Sequence, residues 1–136
     1  MKINLNEPNP GVFFRWPNAK TDEEGGITLR ALNIEALTAI DDATTTKKKK
    51  FRGHTPYDDV KVDEKRREEL IWDYCIVDWE NLQDENGKDI PCTLENKVML
   101  MRTQFQFSVF VADCLDQLTE FAEGQKETEL KNSLKS

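Results

Sequence analysis

The stretch VDWENLQDENGKDIPCTLENK, Val77–Lys97, sets a tryptophan and six carboxylates beside an Asn-Gly pair, a proline and a cysteine. Three chemistries could use such a stretch: a metal loop, an acid/base site, or a joint between pieces of scaffold. An EF-hand loop needs its glycine sixth and an oxygen ligand fifth. Counted from Asp84, Gly87 is fourth and Lys88 is fifth, so the pattern fails. A zinc site from Cys75, Cys92, Cys114 and His54 would lack the paired Cys-x2-Cys clip that marks such sites. Acid/base catalysis needs two carboxyls with differently tuned environments, and nothing selects a pair among 26 acidic residues. The mechanical reading remains. Asp78 and Glu80 alternate with Val77, Trp79 and Asn81, as on the outer face of a strand. Asn86-Gly87 reverses the chain, with Val77, Trp79 and Ile90 apolar on the two sides. Pro91 ends pairing, and Thr93 caps a helix with Glu95 in its first turn. Trp79 is the expected anchor of this strand, turn, strand and cap.

Upstream, VFFRW (Val12–Trp16) and ITLRAL (Ile27–Leu32) flank a polar link containing Gly25-Gly26, which predicts a hairpin. Consecutive aromatics cannot all face one side of a strand, so Phe13 or Phe14 is expected to meet a second surface. Asn33 caps a helix carrying Ile34, Leu37 and Ile40, which the spacing allows to run on through TTTKKKK. FRGHTPYDD (Phe51–Asp59) holds Gly53 and Pro56 and reads as a break. His54, the only histidine, sits there as an idle imidazole rather than half of a Cys–His pair. The dense apolar run LIWDYCIVDW (Leu70–Trp79) belongs in the core, as helix to about Cys75 and strand over Ile76–Leu82.

Downstream, Leu94, Val98 and Met101 share a helix face. Phe107, Phe110, Val111, Cys114, Leu115, Leu118, Phe121 and Ala122 then repeat at three and four, an amphipathic helix expected to stop near Gly124. The expected architecture is α+β: a mostly helical single domain over 1–124 with short β-hairpins. Residues 1–11 and 44–60 are candidates for flexibility, and 125–136 for a frayed tail.

Composition narrows the function classes. The chain has 136 residues, 38% apolar and 33% charged, with mean hydropathy -0.70. Three tryptophans and seven phenylalanines argue for a folded core. No apolar run reaches membrane-spanning length, and MKINLNEPNPG lacks the apolar region of a signal peptide. Three cysteines suit a reducing cytoplasm. Residues 1–60 are balanced in charge, whereas 61–136 carry the whole net charge of -7, which disfavours nucleic acid and favours a basic protein partner. Lys47–Lys50 with Arg52 form the one basic patch, read as a solvated helix end. There is no Gly-rich phosphate loop and no GxSxG. No catalytic residue, metal or cofactor is expected.

The segment IVDWENLQDENGKDIPCTLENKVMLM resembles one found in small tail assembly chaperones and minor tail proteins of long-tailed bacteriophages and prophages. The matching positions are Val77, Asp78, Trp79, Glu80, Leu82, Asp84, Gly87, Ile90, Pro91, Thr93, Glu95 and Asn96. GGITLRALNIEAL, with Arg30 after a short strand, is similar to the family's N-terminal part. Asn81 stands where glycine is common, so the backbone need not be as tight there. The resemblance implies a non-enzymatic chaperone of the host cytoplasm that coats the tape-measure protein and helps the tail-tube protein polymerise. A second copy of the chain is a further candidate partner, and partner-binding aromatics would come from Phe13 and Phe14 or from Phe107, Phe110 and Phe121. The competing readings are a structural minor tail or connector protein retained in the virion, and a small antitoxin-like regulator of a basic partner.

Overall fold

The alternation of ITLRAL sends Ile27 and Leu29 to one side of a strand, and both are fully buried. That strand is the middle of the main sheet. The computed structural model describes residues 2, 5 and 9–134, with side chains described up to Thr119. Among them, β1 (Val12–Arg15), β2 (Gly26–Leu29) and β5 (Ile76–Glu80) form an antiparallel sheet in the order β1-β2-β5. Helices α1 (Ile34–Thr44), α2 (Glu64–Cys75), α3 (Leu94–Thr103) and α4 (Phe105–Leu134) complete the body, and β3 (Thr45–Arg52) pairs with β4 (Thr55–Val62) as a separate antiparallel hairpin. The architecture is the expected α+β.

Two glycines let the main strands meet. Gly25 has φ 92 and ψ 175, a region essentially reserved for glycine, and a Cβ there would collide with the Glu80 carbonyl oxygen. A Cβ on Gly26 would collide with the Phe14 carbonyl oxygen. Opposite them, Ile27 pairs with Trp79 and Thr28 with Asp78, but Leu29 pairs with Ile76. Val77 is therefore the extra residue of a β-bulge. The bulge inverts the alternation, so Ile76 and Trp79 both face the core while Val77 is exposed. The expectation that Val77 and Trp79 share the apolar face is corrected by this one inserted residue.

The core lies between the inner face of the sheet and α4, where Phe107, Val111 and Cys114 join Ile27, Leu29, Ile76, Trp79 and Leu100. Each such large side chain contributes about 1.5–3 kcal/mol by leaving water. Phe107 meets Trp79 edge-on at 5.9 Å, and Trp16 meets Phe110 at 5.8 Å. Lys97 is buried, with its ammonium donating to the Asp73 carbonyl at 3.1 Å and the Asp73 carboxylate at 3.0 Å, which ties α3 to α2.

Three helix starts follow the capping rule: Asn33, Asp63 and Thr93 each accept from a backbone N–H in the first turn. Two helix extents differ from expectation. The chain leaves α1 at Thr45 for a strand instead of continuing as helix through TTTKKKK. Threonine is a poor helix former and a good strand former, and the hairpin supplies pairing that the helix could not. Conversely, α4 continues through Gly124 to Leu134. One interior glycine costs about 1 kcal/mol, and the Gln, Lys, Glu and Leu around it are strong helix formers. β5 ends at Glu80, not Leu82, and the second side of the turn is a single Gln83–Asp89 bridge rather than a strand.

Candidate functional site

The residues singled out around the Asp84–Gly87 turn are mostly occupied in holding it. The Asp84 carboxylate accepts from Asn86 N at 2.8 Å and Lys88 N at 3.0 Å, the self-bonding that favours aspartate in turns. Gly87 takes φ 78. Trp79 is 7% exposed, and its indole N–H donates to the Ile90 carbonyl at 2.6 Å, binding the strand to the returning chain. Thr93 accepts from Asn96 N at 3.2 Å, while the Asn96 side chain donates back to the Pro91 carbonyl at 2.8 Å. Glu95 lies exposed in the first turn of α3. Asp78 and Glu80 point outward from the sheet. Asn81 has φ 56, so this position does need a left-handed backbone, and asparagine is the side chain that most nearly replaces glycine there. The relaxation that the absence of glycine allowed is not taken up. Its amide also donates to the Glu23 carbonyl at 3.1 Å.

Arg30 lies apart from that module. Its guanidinium stacks on the Tyr74 ring at 3.8 Å and donates to the Tyr74 carbonyl at 2.7 Å. Asn9 closes the cluster by donating to the Tyr74 hydroxyl at 2.6 Å. These three residues border an open groove of about 850 Å³ between α1 and α2. Its apolar lining includes Ala36, Ala39 and Ile40 from α1 with Leu70 of α2 and Val77 of the bulge, and Glu35 and Asp73 add carboxylates. The small alanines leave room for a backbone to approach. Sequence reasoning missed the groove because its lining comes from separated elements, and the bulge that turns Val77 outward leaves no periodic mark.

The aromatic candidates divide by burial. Phe107 is in the core and Phe110 and Phe14 pack against it, which leaves Phe13 exposed at the sheet. Phe121 lies in α4, and its side chain is outside the described residues.

The β3–β4 hairpin is the second exposed feature. Gly53 takes φ 61 while His54 keeps an ordinary backbone, the pattern of a type II′ turn with glycine first. Every residue from Thr46 to Val62 except Asp59 is exposed. Eight-residue strands make an arm of about 25 Å at ~3.4 Å per residue. Its one ion pair among the described residues joins Lys50 to Asp59 at 2.9 Å, and the Lys50 hydrogen bond holds the Asp59 carboxyl below its usual range. The base is fixed: Asp63 N donates to the Thr44 carbonyl at 2.8 Å, and Arg67 pairs with Asp41 at 2.7 Å. Exposed Phe51, Tyr57, Val60 and Val62 were not foreseen as surface features. The available signal was on one side only: the Gly-x turn followed by the strand formers Thr55, Tyr57, Val60 and Val62.

The thiols are poor nucleophiles. Burial pushes Cys75 and Cys114 up to about 11 and also raises Cys92. Among the described residues no cluster of His, Cys, Asp and Glu could hold a metal ion, and no helix is long and apolar enough to cross a membrane. Comparison with known proteins finds no matching family model, curated protein or solved structure.

Proposed function

We propose that this chain is a non-enzymatic, cytoplasmic tail assembly chaperone of a long-tailed phage or prophage. It holds a helical segment of the tape-measure protein during polymerisation of the tail-tube protein. The resemblance in Ile76–Met101 and Gly25–Leu37 supplies the family. The observation that carries the client-binding part is the open groove between α1 and α2. An amphipathic helix binds by laying its apolar face into such a groove. Ala36 and Ala39 allow close approach, Leu70 and Val77 offer apolar contact, and the Glu35 carboxylate can read a polar residue along the rim.

Co-expression with the tape-measure protein from the same gene cluster should give a co-purifying complex. Ala39→Trp, an exposed position that fills the groove, should lower recovery about tenfold while circular dichroism stays unchanged. Failure of the wild type to co-purify across several salt concentrations overturns the reading. Presence of the chain in purified virions reassigns it to a retained minor tail protein.

A further inference from the structure

The arm and the body differ in charge far more than the two halves of the sequence do. Residues 45–62 hold six basic and two acidic groups, whereas the remainder holds 13 basic and 24 acidic. The register separates the arm into two faces. Lys47, Lys49, Phe51, Pro56, Asp58, Val60 and Val62 share one, because directly paired residues project to the same side. That face is apolar with two lysines and one carboxylate, Asp58 opposite Lys49, which leaves it net positive; Phe51 is 62% exposed and Val60 50%.

The complementary surface is the outer face of the main sheet. The row Phe13–Thr28–Asp78 and the neighbouring row Arg15–Gly26–Glu80 lie on it. Phe13, Val77, Asp78 and Glu80 are exposed there or at its bulged edge. Arg15 is engaged by Asp22 at 2.6 Å, so the carboxylates dominate the face. Among the described residues, Asp78, Glu80, Lys47 and Lys49 take part in no ion pair. Both pairs are separated by two residues of strand, so each places its charges about 7 Å apart on one side.

We infer that the Lys47–Lys49 face of the arm docks on the outer sheet face of a second copy of this chain. Phe51, Val60 and Val62 then cover Phe13 and Val77, and the two ammonium groups face Asp78 and Glu80. A second copy is favoured over nucleic acid because it offers both an apolar patch and negative charge at matched spacing. A phosphate backbone would leave the valines uncovered. The contact is small beside the ~800 Å² per partner of a standard interface, so association is weak and salt-sensitive. The inference does not rest on the chaperone reading, since it needs no client.

Sedimentation velocity of the purified chain at about 100 µM tests it, with Kd expected in the range of tens of µM. The mean mass should rise with concentration at low salt and fall back at about 0.5 M salt. The double variants K47E/K49E and D78K/E80K should each be monomeric with unchanged circular dichroism, and mixing them should restore a complex. Lys48→Glu, on the opposite face of the arm, should leave association intact. A monomeric wild type, association surviving either reversal, no rescue on mixing, or equal loss with Lys48→Glu would falsify the assignment. A monomeric wild type that binds DNA would give the arm to nucleic acid instead.

Discussion

The molecule contains two antiparallel sheets built on different principles. In β1-β2-β5 each strand has only four or five residues, yet one face is sealed by α4 and the core. In β3-β4 the strands are twice as long, and neither face is covered. The short sheet is held from outside, by burial and by glycines that admit a neighbouring backbone. The long one is held from within, by its turn and its cross-strand pairs. Length of pairing is thus a poor guide to where stability resides, because an isolated two-stranded hairpin is marginal in water.

Three measurements test that contrast. The largest effect is expected from Trp79→Ala, which removes a buried aromatic ring and the hydrogen bond to Ile90. Loss of about 3–5 kcal/mol in denaturant unfolding is expected. A loss below about 1 kcal/mol would mean that Trp79 does not anchor the sheet to the turn. Next come two glycines that both have positive φ. Gly25→Ala puts a methyl group into the Glu80 carbonyl and should cost about 2–3 kcal/mol globally. Gly53→Ala meets no atom within 4 Å and pays only the left-handed backbone cost, about 1–2 kcal/mol. That cost should fall on the arm, seen as faster amide exchange in 45–62 with an unchanged melting temperature. Equal global losses would show that the arm and the body unfold as one unit.

The smallest effect concerns the core thiols, and it shows only as a loss of stability at alkaline pH. Their folded pKa values, about 11 for Cys75 and Cys114, lie above the ordinary 9.0. Folding therefore favours the neutral thiol. The contribution is fully present below about pH 9 and is lost as pH rises towards 11. Melting temperature should be flat from pH 7 to about 8.5 and decline above it. Thiol labelling at pH 8 should be slow when folded and fast in denaturant; rapid labelling of folded Cys114 would show that α4 opens from the sheet.

How much of this was readable from residues follows the same division. Caps at Asn33 and Thr93, the reversal at Asn86-Gly87, the burial of Trp79 and the end of α2 at Cys75 all rest on local chemistry, and each stands where the sequence puts it. The arm was hidden because Thr45–Lys50 has no apolar residue with which to mark a period of two. Its strand state depends on partners across the turn, in β4, and not on its own residues. The bulge at Val77 was hidden for a related reason: it is set by the register against β2, so VDWE alone reads as simple alternation. The groove between α1 and α2 combines both problems, since its lining is drawn from α1, α2 and the bulge. Local signals located the anchor but not the exposed surfaces.

The hydrogen bond from Asp63 N to the Thr44 carbonyl places the two ends of the arm one peptide contact apart. The eighteen-residue span 45–62 is in effect an insertion at the tip of a helical hairpin. The packing of α1 on α2 does not depend on how far it extends. Related chains could therefore lengthen, shorten or lose the arm without redesigning the body. Changes made near the base obey a parity rule: two residues added per strand preserve which side chains face which way beyond them, whereas one residue per strand turns the lysine-and-valine face to the opposite side.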